Sequence, residues 1–240
     1  MAQVYAPLWC KSNFSFLEGA SDPAELIEQA VHLGLRSIAV TDRDGLYGVV
    51  QAHTAARHKG LDLIIGAEMT VADPGVVLSG QIRAGSQPTA KPGAQFERAD
   101  ISTIVLLVEN RSGYRNLCRL ITRGRRRSPK GESITTWQEV AEHAEGLVAL
   151  WGGDNSLLTR ADPFKLSLSP GRFRASFRTG QPRLVDETLL ETVTPLLKDA
   201  FGDRLFAIIS RHHRADEVRK EWRLRENASK WDIPLVAATE

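Results

Sequence analysis

The stretch SDPAELIEQAVHLGLRSIAVTDRDGLYGVVQAHTAARHKGLDLIIGAE, residues 21–68, decides the fold class. It opens on Ser21-Asp22-Pro23, a side chain able to cap free backbone N–H groups followed by a proline whose fixed φ suits a first helical turn. Leu26, Ile27, Ala30 and Val31 then recur at helical spacing, and Gly34 ends the helix. Ser37 to Thr41 has the length and apolar character of a buried strand. Val49 to His58 reads as a second helix closed by Gly60, and Leu61 to Ile65 as another strand ending in Gly66-Ala67-Glu68. Helices and strands in strict turn are the rhythm of an α/β protein.

Outward from this block the rhythm continues with two interruptions. Upstream, Val4 to Cys10 reads as a short strand. Downstream, Asp73 to Asp100 is rich in Gly and Pro with no sustained period, which predicts an exposed, poorly ordered loop. Ile101 to Val108 is a strand whose aliphatic run suggests burial on both faces. Ser112 to Thr122 reads as a helix, Arg123 to Lys130 as a basic connector, Thr135 to Ala144 as a helix and Leu147 to Leu150 as a strand. Asp154 to Arg183 is again irregular. Leu184 to Phe201 is helical, Leu205 to Ile209 a strand, Ala215 to Trp231 a helix and Leu235 to Ala238 a last strand. About seven strands with interleaved helices predict parallel strands in a barrel or doubly wound sheet. The reading is one domain over 1–240, with irregular insertions at about 73–100 and 154–183, truncated at its C-terminus two residues after a strand.

Composition bounds the function. With 42% hydrophobic and 25% charged residues, the chain matches soluble globular domains. A net charge of +2 leaves any nucleic-acid footprint to a local patch. Cys10 and Cys118 form no CxxC pair, which argues against disulfide frameworks and zinc ribbons and suits a reducing compartment. No signal peptide and no apolar run long enough for a membrane span are present, so the expected location is cytoplasmic.

Four segments, in order, carry a resemblance. They are Tyr5-Ala6-Pro7-Leu8-Trp9-Cys10-Lys11-Ser12-Asn13-Phe14-Ser15-Phe16-Leu17-Glu18-Gly19; Val40-Thr41-Asp42-Arg43-Asp44-Gly45 with Gly66-Ala67-Glu68; Leu106-Leu107-Val108-Glu109-Asn110; and Pro234-Leu235-Val236-Ala237-Ala238-Thr239-Glu240. Together they resemble the PHP domain that begins bacterial DNA polymerase III α subunits, most closely the error-prone branch. The resemblance implies a distorted seven-stranded β/α barrel, TIM-like in plan, and a role in DNA replication and repair beside a polymerase region that carries nucleotidyl transfer.

Active members of that superfamily hold up to three metal ions with histidines and carboxylates at strand ends. By the same resemblance, the ligand positions here read Trp9, Lys11, Glu18, Arg43, Glu68, Thr103 and Glu240. Trp cannot ligate, and a charged Lys is a donor only. Carboxylates persist while nitrogen ligands are gone. One reading is that these are drifted surface positions. The sharper one is that Lys11 and Arg43 replace the metal charge and pair with Glu18, Glu68 and Glu240, since clustered carboxylates repel unless neutralised. No catalytic residue is assigned and no cofactor is expected, beyond at most weak Mg²⁺ or Mn²⁺.

Arg123, Arg125, Arg126, Arg127 and Lys130 form the densest positive run. They suit phosphate contacts to DNA, a contact with a neighbouring polymerase domain, or a solvated connector. His212 and His213 follow a strand end, where the pair could ligate a metal or titrate, though a structural hydrogen bond at His212 is the stronger reading; Trp137, Trp222 and Trp231 are candidates for a docking face, with core packing the commoner fate of tryptophan. The expected function is therefore a non-catalytic domain bracing the remainder of a polymerase α subunit, meeting DNA indirectly and no membrane. The alternatives are a metal-dependent phosphoesterase or 3'-5' exonuclease with a reduced site, and a free-standing interaction module.

Overall fold

The first helix, α1 (Pro23–His32), begins as its sequence dictates. The Asp22 carboxylate accepts from the backbone N–H of Ala24, and the Glu25 side chain returns to the N–H of Asp22, a reciprocal capping box with Pro23 just inside it. A computed structural model describes this and the rest of the fold over residues 5–74, 101–161, 186–211 and 214–238. The elements that follow are β1 (Ser37–Val40), α2 (Val49–Lys59), β2 (Asp62–Ala72), β3 (Ile101–Val108), α3 (Arg111–Arg127), β4 (Thr135–Thr136), α4 (Trp137–Glu142), β5 (Leu147–Gly152), α5 (Leu157–Arg160), α6 (Asp186–Phe201), β6 (Leu205–Ile209), α7 (Glu217–Lys230) and β7 (Leu235–Ala237).

The seven strands form one sheet in the order β1-β2-β3-β5-β6-β7, with the short β4 paired to the far end of β2. β3 alone runs against the rest, antiparallel to both β2 and β5. This corrects the all-parallel expectation. An aliphatic run buried on both faces looks the same in either direction, so composition could not give the sense of β3.

The sheet curls into an open half-barrel. Alternate residues of its strands sort to two faces. On the concave face Ala39, Val105, Leu107, Leu150, Ile208 and Ala238 gather with Trp9 in one buried cluster, which unites residues from opposite ends of the strand order. On the convex face Ala67, Met69, Val71, Ile104, Leu106, Leu147, Ala149 and Trp151 pack beneath the later helices. The outer side of β1 is covered by Ile27 and Ala30 of α1 with Ala52 and Ala56 of α2.

Several boundaries move. The segment before Cys10 forms no full strand within the described residues. It bonds along β1 through Ala39 N–H to Pro7 O and Thr41 N–H to Cys10 O, with one bridge between Cys10 and Val40. β2 runs on through Glu68 to Ala72 instead of stopping at Ile65. The basic run expected to be a connector is the end of α3 up to Arg127, because Gly124 falls on the buried face and arginine favours helix. In the segment expected to be irregular from Asp154, residues 157–160 form α5, capped by the Ser156 hydroxyl. Asp73, placed in the other irregular segment, is buried and bonded by Ser102 and Trp137. Residues 75–100 and 162–185 lie outside the described residues, as do His212, His213 and Glu240. Trp137 is core rather than surface: it is 3% exposed and meets Trp151 edge-on, whereas Trp222 is exposed.

Candidate functional site

The concave face opens at the C-terminal ends of β1, β5 and β6, the end where β/α barrels carry their chemistry. There a cavity of about 420 Å³ is lined by Trp9, Glu18, Arg43, Glu68, Thr103, Asp154, Asn155 and Arg214.

Backbone geometry delivers the central side chains. Beyond β1, residues 42–44 continue beside β2. The Glu68 N–H donates to Asp42 O at 3.1 Å and the Asp44 N–H to Glu68 O at 2.8 Å, so Arg43 and Glu68 are bridged partners. Inner-face alternation on β3 brings Thr103 to the same mouth. The loop before Glu18 is tied down by Asp42, which is 1% exposed. Its Oδ1 accepts from the Ser12 N–H and the Ser15 hydroxyl, both at 2.7 Å, and its Oδ2 from the Ser12 hydroxyl at 2.8 Å. The Ser15 oxygen in turn accepts from the Arg43 N–H at 3.0 Å. Together these bonds hold positions 11 and 18 against position 43.

At the centre is an alternating charge cluster. Lys11 Nζ lies 2.8 Å from Glu68 Oε2 and 3.0 Å from Glu18 Oε2, with its side chain 5% exposed. Arg43 Nη2 lies 3.1 Å from Glu68 Oε1 and 2.9 Å from Glu18 Oε1, and its Nε donates to Glu18 Oε2. The Trp9 indole N–H donates to Glu68 Oε2 at 3.2 Å, and its ring stacks against the Lys11 ammonium, 5.2 Å from the ring centroid. Among the described residues, two cations and two carboxylates thus face one another. Trp9 also packs on Gly153, where a Cβ would stand 2.6 Å from the ring, so the indole closes the floor of the cavity.

Neighbouring charges frame this cluster. Asp154 is bound by Arg214 and, at 3.0 Å, by Lys220; burial pushes its carboxyl up, but those two hydrogen bonds hold it below the usual range. Asp44, one step beyond Arg43, accepts from Thr70 N–H at 2.7 Å and Thr70 Oγ1 at 2.6 Å. Its burial nevertheless raises its pKa to about 6.

A metal does not fit this donor set. The atoms facing the carboxylates are an ammonium, a guanidinium and an indole N–H, all of them donors without a lone pair to give. The structure places Trp9, Lys11, Glu18, Arg43, Glu68 and Thr103 together, with Glu240 outside the described residues. Of the basic run, Arg125 turns inward to Asp44 O at 3.0 Å and over the Tyr47 ring, and Arg127 pairs with Glu139. Arg123 reaches Glu142 at 3.6 Å, while Arg126 and Lys130 are exposed. Sequence reasoning missed the Asp42 anchor and the Asp154 rim. Two serines spaced for a tight turn before an Asp at a strand end were the available signal for the first; the second joins residues far apart in the chain and leaves none.

A profile of the family described as PHP domain matches residues 8–193. The error-prone DNA polymerase of Anaeromyxobacter sp. (strain K) is 32% identical over 249 aligned positions, covering 100% of this chain and 17% of that protein. That of Rhodopirellula baltica is 30% identical over 98% of this chain and 17% of its own length. That of Pseudomonas fluorescens is 42% identical over 62% of the chain and 12% of its own. The chain thus spans less than a fifth of these relatives. Among solved structures, a candidate metal-dependent phosphoesterase from Bifidobacterium adolescentis superposes with a TM-score of 0.55 at 16% identity, over 97% of this chain and 86% of that one. An identity that low speaks to the fold alone.

Proposed function

The chain belongs to the PHP domain family, and from that premise we propose that it is the non-catalytic PHP domain of an error-prone DNA polymerase, a scaffold for a polymerase region that does the chemistry. Its similarity along the full chain to error-prone polymerases supports the parentage. One observation carries the non-catalytic part: the Lys11 ammonium sits between Glu18 and Glu68, 3.0 and 2.8 Å away, where a hydrolytic site would need a cation with open coordination positions. An ammonium already paired to two carboxylates neutralises them but offers no coordination position at which water could be activated. A cytoplasmic location and a nucleotidyl-transfer role for the whole protein belong to this same proposal. Among the described residues no helix is long and apolar enough to cross a membrane.

The test is metal content with activity. The purified chain is expected to hold substoichiometric zinc and manganese and to leave phosphomonoesters, phosphodiesters and DNA 3' ends intact in added Mn²⁺. The triple change Trp9→His, Lys11→His and Arg43→His is expected to raise metal uptake, because it restores lone-pair donors around Glu68. About one tightly held metal per unaltered chain, with hydrolysis abolished by Glu68→Gln, would overturn the proposal in favour of a phosphoesterase.

A further inference from the structure

α3 carries a line of charge that the mouth does not use. At about 100° per residue, Arg111, Arg115, Arg119 and Arg126 fall within roughly 80° of arc. They lie opposite Gly113, Leu117, Leu120 and Gly124, which are buried against the sheet. All four arginines are exposed, and none has a carboxylate partner among the described residues. The seventeen residues of α3 contain no Asp or Glu. Arg111, Arg115 and Arg119 line an open trough of about 640 Å³ together with Tyr114, Cys118, Thr122 and Arg123, and Arg126 lies beyond it on the same face.

The arrangement works against the helix itself. Arg111 and Arg115 stand at the positive end of the helix dipole, and like charges at i,i+4 repel by a few tenths of a kcal/mol each. With a chain net charge of only +2, this is a local concentration and not an overall excess. A polyanion laid along the row would remove the repulsion.

We propose that this face of α3 binds the phosphate backbone of single-stranded DNA. The choice of DNA among polyanions rests on the polymerase reading above; the cation row does not. From Arg111 to Arg126 the row runs about 22 Å at 1.5 Å per residue, room for several nucleotides. Guanidinium forks match phosphate oxygens in pairs. Tyr114, 40% exposed beside the row, offers a base a face to stack on, which favours a single strand over a duplex.

The experiment is fluorescence anisotropy of the full chain with labelled oligo-dT and a duplex of equal length, across a salt series. Binding to oligo-dT is expected at low salt, falling steeply as salt rises. The triple change Arg111→Gln, Arg115→Gln and Arg119→Gln should weaken binding at least about tenfold and flatten the log–log salt slope by about 2, near 0.7 for each phosphate left without its arginine. The triple change Arg36→Gln, Arg57→Gln and Arg219→Gln removes the same charge from exposed positions elsewhere, and should leave the slope unchanged. Melting curves should show the α3 variant at least as stable as the parent, so a weakened signal is not unfolding. Equal loss in the two triples, tighter binding to duplex, equal competition by polyglutamate, or no binding at low salt would each overturn the proposal. These readouts are independent of metal content and hydrolysis, so DNA binding can fail while the scaffold reading stands.

Discussion

At the residue scale, Glu68 and Asp44 are two buried carboxylates with opposite fates. Glu68 is 2% exposed and faces two cations and an indole N–H. Removing its charge takes from the buried Lys11 ammonium the nearer of the two carboxylates described beside it, so Glu68→Gln should cost on the order of 3 kcal/mol in urea unfolding. Lys11→Met together with Glu68→Gln removes one cation and one carboxylate and leaves Arg43 paired with Glu18. The double change should therefore cost less than the two single changes summed, and a strictly additive result would show that the pair is not coupled. Asp44 is instead raised to about 6 by burial. In the unfolded chain it titrates near 3.9. Between those values the folded state holds the extra proton, so this group's contribution to stability falls as pH rises from about 4 to 6. Asp44→Asn keeps the acceptor for Thr70 and tolerates the φ of 50°. Relative to the parent, the variant should gain stability with rising pH by on the order of 2–3 kcal/mol, flat above about pH 6. Melts of both proteins from pH 4 to 7.5 would check it, and parallel curves would remove the burial argument. The residues of the mouth were legible through the resemblance, which sets nitrogen-ligand positions at Trp9, Lys11, Arg43 and Thr103 beside the kept carboxylates Glu18 and Glu68. The Asp44–Thr70 pair was not, since nothing local marks an Asp in a Gly-containing turn as buried.

At the element scale, α3 lies against the sheet because Gly113 lets it. A Cβ there would stand 1.8 Å from the backbone oxygen of Gly146, with no side chain able to yield. Gly113→Ala should therefore push the helix off β5 and cost about 3 kcal/mol. Gly34 is a useful contrast. Its φ is +71° and a Cβ added there would meet nothing within 4 Å, so Gly34→Ala should cost only the conformational term of about 1 kcal/mol. Paired denaturation curves would separate packing from conformation, and equal losses would refute the packing account. The strands and helices of the first third were readable from their caps and periodicity, as Asp22, Pro23 and Gly60 show. The extent of α3 was not, because an arginine-rich run has the composition of a connector while Leu117, Leu120 and Gly124 set its buried stripe. The sense of β3 depended on pairing with two distant strands, which no window of sequence contains.

At the scale of the whole molecule, the half-barrel presents an apolar rim beside its charged mouth. Phe16 and Leu17 are 84% and 89% exposed, at the tip of the loop that Asp42 anchors, with Phe14 and Tyr47 stacked nearby. Leu17 holds a φ of 64°, a conformation that branched or bulky residues rarely adopt. Exposed as they are, Phe16→Ser with Leu17→Ser should change unfolding free energy by no more than about 0.5 kcal/mol. The same double change should lower binding of a hydrophobic dye and weaken capture of a polymerase region supplied in trans. A large loss of stability would instead mean that the loop tip belongs to the core. Alternation foresaw six of the seven strands and left a barrel and a doubly wound sheet both open; β4 fell inside a stretch read as helix.

The lysine between the two carboxylates has a consequence for the life of the protein in a cell. A centre held by a metal ion is only as stable as the supply of that ion, because bound ligand adds a term that grows with its free concentration. Here the counter-charge is encoded at position 11 and arrives with the chain itself. On the non-catalytic reading proposed above, the domain is expected to need no loading step after synthesis, to melt at the same temperature in EDTA as in excess Mn²⁺, and to keep its folded fraction under starvation for zinc or manganese.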